Sequence, residues 1–167
     1  MRKQFLPCYI VAMLLLSSGT VLAGQMLGHD GHDHMTEAAV GSNHADVVKH
    51  KACAHCGMDR EKFAFSRMLI TYADGSSVGV CSIHCAVTEL KDQKNKVVKS
   101  IEVADLNTKK LVDAKKATWV LGGEKKGVMT RVPKWAFAKK ADAVAFVAKY
   151  GGKLATYKEA LDMAENN

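Results

Sequence analysis

Apolar and polar positions alternate with the strand period at several places along this chain, and twice such strand patterns lead into a helical period. Phe63, Phe65, Met68, Ile70 and Tyr72 form a β-prone run over residues 63–72, and Asp74-Gly75 then supplies the positive φ of a hairpin turn. Val78, Val80 and Cys81 make the return strand. Ser82 is a good N-cap for a helix over 85–90, and residues 100–106 alternate again as a strand. The second half repeats the order. Residues 117–121 read as a strand, Gly122-Gly123 as a loop, and 131–138 as a strand whose Pro133 suits a sheet edge. Val144, Val147 and Ala148 then lie at helical spacing within 142–150, where Gly151-Gly152 closes the helix. A strand over 153–157 and a terminal helix opened by the Thr156-x-x-Glu159 capping box complete the pattern.

The predicted fold class is α+β, two small ββαβ units packed together, the first over 51–108 and the second over 109–167. Each unit alone is near the lower size limit for an independent core, so mutual packing is expected. Met68, Trp119 and Trp135 fit core positions on strands.

Ahead of the units the periodicity fails. Residues 1–23 carry Arg2 and Lys3, an apolar run and a Val21-Leu22-Ala23 end, the pattern of a cleavable secretory signal. Ser17, Ser18 and Gly19 interrupt the run before the roughly twenty apolar residues a membrane span needs. The mature chain is therefore expected outside the cytoplasm, touching membrane only through the uncleaved signal. Residues 24–50 have almost no large apolar side chain before Val47 and read as a disordered His-rich leader, with folding expected to begin near Val47 or Lys51. His29, His32 and His34 in that leader are either accessory metal collectors or plain solvated residues.

Composition adds one exclusion. The 167 residues carry a formal charge of +7, and loss of Arg2 and Lys3 with the signal lowers it by two. That surplus lies on scattered lysines without interleaved aromatics, which excludes nucleic acid as a partner.

The cysteines concentrate the chemistry. Outside the signal they fall in two clusters, Cys53-Ala-His-Cys56-Gly-Met58 and Cys81-Ser-Ile-His-Cys85. Two short pairs on either side of a hairpin, the second at a strand-to-helix junction, predict a treble-clef-like metal site. Met58 adds a thioether, and thiolate with thioether selects Cu(I). Zn(II) held by Cys53, Cys56, Cys81 and Cys85 is the alternative, as are structural disulfides in an oxidising compartment and, third, a thiol–disulfide oxidoreductase centred on Cys53 and Cys56. His55 and His84 lie inside the pairs and are accessory candidates. Met129 sits in a glycine-bounded loop without amphipathic pattern.

Taken together, Cys53-x-x-Cys56-Gly57-Met58, Asp74-Gly75, Cys81-Ser82-x-x-Cys85, the 117–121 strand, Val128-Met129, Ala136-Phe137, the 143–152 helix with its glycine end and Glu159-Ala160-Leu161 resemble the NosL family, accessory proteins of nitrous oxide reductase. The first cluster alone is also similar to YHS and TRASH heavy-metal modules. The NosL resemblance implies a non-enzymatic, periplasmic or surface-anchored copper chaperone. It would bind one Cu(I) and deliver it to the copper–sulfide centre of nitrous oxide reductase, with a copper exporter as a further partner. It also implies a fold of two ββαβ units similar to organomercurial lyase, with Cys56, Met58 and Met129 as ligands. Gln25 stands where a lipobox would place cysteine, so a lipid anchor is not expected here, and Thr130 replaces the family's usual glycine. Cys53, Cys81 and Cys85 occur in part of the family, where they could hold zinc, pair as a disulfide or join a different copper site.

Overall fold

The computed structural model describes residues 44–166, so the expected signal and the histidines His29, His32 and His34 lie outside the described residues. In chain order the elements are α1 (Ala45–Lys49), β1 (Met68–Tyr72), β2 (Ser77–Val80), α2 (Ile83–Asp92), β3 (Val98–Ala104), β4 (Leu111–Asp113), β5 (Thr118–Leu121), β6 (Lys134–Phe137), α3 (Lys140–Tyr150), β7 (Lys153–Ala155) and α4 (Tyr157–Glu165). They build two antiparallel sheets, ordered β2-β1-β3-β4 and β6-β5-β7. In each sheet the first strand of the unit is central, the second and third flank it, and a helix connects those two in sequence. That is the ββαβ repeat expected from the periodicity.

One core runs through both units. Met68, Ile70, Val80 and Ile101 pack with Trp119, Leu121, Ala136, Tyr157 and Ala160. A second cluster gathers Val120, Trp135, Phe137, Ala143 and Phe146, and Phe65 from the first unit packs against it. Between the sheets, the Leu106 N–H donates to the Ala136 carbonyl at 2.9 Å, and the Ala138 N–H donates to the buried Asp105 carboxylate at 2.9 Å. Finally α4 lies against α2, so the last helix of the chain covers the helix of the first unit. Its start is the expected capping box between Thr156 and Glu159.

Several expectations are corrected. The leader was expected to be disordered to residue 50, yet Ala45–Lys49 is helical and docked. The reason is Asp46, whose carboxylate accepts from Arg60 at 2.9 Å and from Arg67 at 2.9 and 3.0 Å, while Val47 is buried beside it. Both arginines are enclosed, at 0% and 1% exposure, and buried guanidinium groups require such a partner. Arg60 also donates to the backbone carbonyls of His50, Val80 and Met68. Gly79 permits this approach, because a Cβ there would sit 2.5 Å from the His50 Cβ and 2.6 Å from the Arg60 guanidinium carbon.

The strand expected over 63–72 starts only at Met68. Residues 60–66 instead form successive turns, begun where the Asp59 carboxylate accepts the Glu61 and Lys62 N–H groups at 2.8 and 3.1 Å. This swings Phe65 onto Trp135, ring centroids 5.9 Å apart. The third strand runs over 98–104 in place of 100–106, and β6 over 134–137 in place of 131–138. β4 was not foreseen; it pairs with β3 and carries the first sheet past residue 108. β6 is an edge strand, as Pro133 suggested.

Candidate metal centre

The first cysteine pair lies in a tight turn that its own backbone closes. The Gly57 N–H donates to the Cys53 carbonyl at 2.9 Å and the Cys53 N–H to the Met58 carbonyl at 2.8 Å. Gly57 has φ 71°, a left-handed conformation that glycine adopts without steric cost. The Met58 backbone N–H points at the Cys56 sulfur, and the Ala54 N–H donates to the Gly79 carbonyl at 3.1 Å, tying the turn to β2. The second pair follows directly. Cys81 comes immediately after β2 and Cys85 falls in the first turn of α2. Ser82 takes the N-cap position, but its side chain makes no cap bond and its hydroxyl lies 3.9 Å from the Cys81 sulfur.

These two segments bring Cys53, Cys56, Cys81 and Cys85 together, with all four sulfurs within 4.8 Å of one another. Cys56 Sγ is 3.5 Å from Cys81 Sγ, which is 3.7 Å from Cys85 Sγ. A tetrahedral thiolate site with bonds of about 2.3 Å has sulfur–sulfur edges of about 3.8 Å, so the separations suit one ion at the centre. All four thiols are free; Cys53, Cys81 and Cys85 are buried, whereas Cys56 is exposed.

The thiols share charge unequally. Cys81 is pulled down to about 5 by hydrogen bonds from Cys85 first, then Cys56, Ser82 and Cys53, against the opposing effect of burial. Cys85, the principal donor, is pushed up by that bond and by burial. The contacts thus favour charge on Cys81 over Cys85, and the thiolate is the form that binds metal.

The other candidates divide. Met58 is half-buried and packs against the core cluster that contains Cys53, Cys81 and Cys85. His55 turns its Nε2 to the Glu89 carboxylate at 2.8 Å, and neither His55 nor His84 joins the four-thiol group. Met129 is 45% exposed at φ 53°, an uncommon backbone for a residue with a side chain. Its neighbours Val128 and Thr130 line a small cavity with Ser82 and Ile83, which places this loop beside the second cysteine pair with Met129 outside the cavity. Lys134 pins the loop, its Nζ donating to Thr130 Oγ1 at 2.9 Å and to the Val132 carbonyl at 3.0 Å.

Two features escaped the sequence reading. The Asp46–Arg60–Arg67 network has no local signal, since its members are distant in sequence. Glu89 did have one: it follows Cys85 by four residues, so an acidic group shares the buried face of α2 with a cysteine.

Comparison with known proteins agrees with this geometry. The NosL family model matches residues 44–163. Among solved structures, the copper chaperone NosL from Shewanella denitrificans is similar with a TM-score of 0.52 and 25% identity, over 72% of this chain and 92% of that one. No curated protein sequence matches the chain.

Proposed function

The chain belongs to the NosL family, and from that premise we propose that it is an extracytoplasmic Cu(I)-binding metallochaperone that passes copper to a client enzyme, with nitrous oxide reductase the expected client. The observation that carries the proposal is the group of four free thiols, three enclosed and Cys56 exposed. Soft thiolates hold Cu(I), and a single exposed thiol gives a partner somewhere to begin exchange. Cys56 is therefore the leaving ligand, with Met58 beside it and Met129 as a ligand from the second unit. The buried thiols retain the ion until the partner's ligands have replaced Cys56. Turnover chemistry plays no part: the metal is cargo.

A second reading is favoured by one observation. Separations of 3.5 and 3.7 Å between sulfurs also suit a closed Zn(II) tetrathiolate. Met58 separates the two, because zinc has little use for a thioether. In anaerobic competition against a chromogenic Cu(I) chelator, Met58→Ala should weaken Cu(I) binding and leave zinc affinity nearly unchanged. Equal loss of both metals, or of neither, would remove Met58 from the copper site. Copper in protein isolated from its native compartment would support the delivery role, and stoichiometric zinc there would replace it with the second reading.

A further inference from the structure

Glu89 is a carboxylate enclosed at 5% exposure on the same helix as Cys85. It accepts the Tyr72 hydroxyl at 2.6 Å and bonds His55 Nε2 at 2.8 Å. Enclosing a carboxylate is unfavourable unless its oxygens are hydrogen-bonded, and an aliphatic side chain of similar volume would serve packing alone at less cost. Its two bonds have different destinations. Tyr72 belongs to β1 beneath the helix, whereas His55 belongs to the turn that carries Cys53 and Cys56.

The backbone bonds of that turn join it to itself and to β2, through Gly57 to Cys53, Cys53 to Met58 and Ala54 to Gly79. None of these three reaches α2. Apart from the meeting of the sulfurs themselves, polar side-chain ties from the turn to α2 run through His55, to Glu89 at 2.8 Å and, more loosely, from Nδ1 to the Asp92 carboxylate at 3.9 Å. The turn has to approach α2 closely for Cys53 and Cys56 to meet Cys85.

We propose that Glu89 is a positioning residue for the metal centre, gripping His55 so that the Cys53–Cys56 turn is held against α2 and the four sulfurs stand together before an ion arrives. The proposal rests on the reading that these thiols take the cargo ion. Outer-shell partners of metal ligands are typically worth about 10–100-fold in affinity. Glu89 reaches the ligands through the residue between them.

The test uses the mature, reduced protein and four variants. Glu89→Leu fills the space without an acceptor, Glu89→Gln retains an acceptor for His55, His55→Phe removes the gripped ring, and Tyr72→Phe removes the other bond to the carboxylate. Cu(I) and Zn(II) affinities are measured by chelator competition, with the metal-free thermal midpoint alongside. Glu89→Leu should lose about 10–100-fold in affinity, Glu89→Gln should recover most of it, and the Glu89→Leu/His55→Phe double variant should be no worse than the weaker single one. Tyr72→Phe should shift the midpoint and keep most of the affinity. Wild-type affinity in Glu89→Leu, or additive losses in the double variant, would overturn the proposal.

A metal-free readout separates this from the underlying metal assignment. Diamide removes two thiol hydrogens as a sulfur–sulfur bond forms, and mass spectrometry follows the bond that joins Cys53 or Cys56 on the turn to Cys85 on α2, sulfurs within 4.8 Å of one another. That bond should form several-fold more slowly in Glu89→Leu. If the slowing occurs but wild type takes up no ion through its thiols, positioning stands and the metal reading falls. If ions bind and neither affinity nor bond formation changes, positioning falls alone.

Discussion

In the first unit, α2 is buried on two sides: Cys85 and Glu89 lie among its enclosed residues, and α4 covers it from outside. Its counterpart α3 in the second unit encloses only Ala143 and Phe146 and leaves Val144 at 48% exposure. Charge divides the same way. Residues 44–106 hold nine Lys and Arg against eight Asp and Glu, whereas residues 107–167 hold thirteen against six. The near balance in the first unit reflects acids consumed internally, with Asp46 on two arginines and Glu89 on Tyr72 and His55. The second unit instead stacks aromatics, Phe146 against Trp135, Phe137 and Tyr150 with centroids 4.8 to 6.1 Å apart, and carries its lysines outside except for the buried Lys134. One topology therefore serves two purposes. A polar, enclosed version frames four thiols, and an aromatic version supplies packing and the Met129 loop, in keeping with function residing in sites placed on a fold.

The largest expected break in this contrast comes from Cys81, fully enclosed and in contact with Cys56 and Cys85. Cys81→Ser should reduce Cu(I) affinity by more than about 100-fold, beyond what outer-shell changes give. Chelator competition checks it, and an unchanged affinity would move the metal elsewhere. Phe146→Ala makes the opposite cut. Truncating this ring should cost about 3–5 kcal/mol in denaturant unfolding, while the protein that remains folded binds metal as before. A parallel loss of affinity would mean that the units are not separable in function.

Much of this contrast was legible in the residues. The period of two, then 3.6, then two again located both ββαβ units, and the thiol spacing predicted the cluster. What could not be read were contacts between residues with no shared pattern. Asp46 lies in a stretch with few apolar residues, so composition placed it in the leader; only the arrival of Arg60 and Arg67 makes its helix form. Phe63 and Phe65 have ideal strand chemistry, but the Asp59 turn and the Trp135 surface outweigh local propensity. For Met129 the position in a loop was legible, whereas its left-handed backbone was not.

The Asp46 network gives a third, pH-dependent prediction. Burial alone would raise the Asp46 carboxyl, but hydrogen bonds and charge from Arg67 and Arg60 outweigh it and hold the group below the usual carboxylate range. Its folded value is thus below its unfolded one, so its stabilisation is present above the unfolded value and lost as pH falls through the folded one. Asp46→Asn should cost about 3 kcal/mol at neutral pH, because two guanidinium groups lose their partner, and should flatten the acid limb of stability below the ordinary carboxylate range of about pH 4. Urea unfolding across that range measures it. An unaltered acid limb would return residues 45–49 to a passive tether.

The smallest expected change in stability concerns Met129, and it tests whether the second unit reaches the metal at all. At φ 53° its backbone carries a penalty of about 1–2 kcal/mol for any residue with a Cβ. Glycine would relieve that penalty but lose more freedom on folding, by about 0.5–1 kcal/mol. With the residue already 45% exposed, little packing is forfeited, so Met129→Gly should leave the metal-free midpoint level or slightly raised. A buried methionine would behave otherwise, costing about 2–5 kcal/mol on truncation. If Met129 contributes a thioether to Cu(I), the variant should also lose part of the copper-induced rise in midpoint, since an ion bound by ligands from both units stabilises their folded arrangement. Thermal melts with and without Cu(I) under reducing conditions provide both readings. A full copper increment in Met129→Gly would confine the metal to the first unit and leave the strained loop without a role in binding.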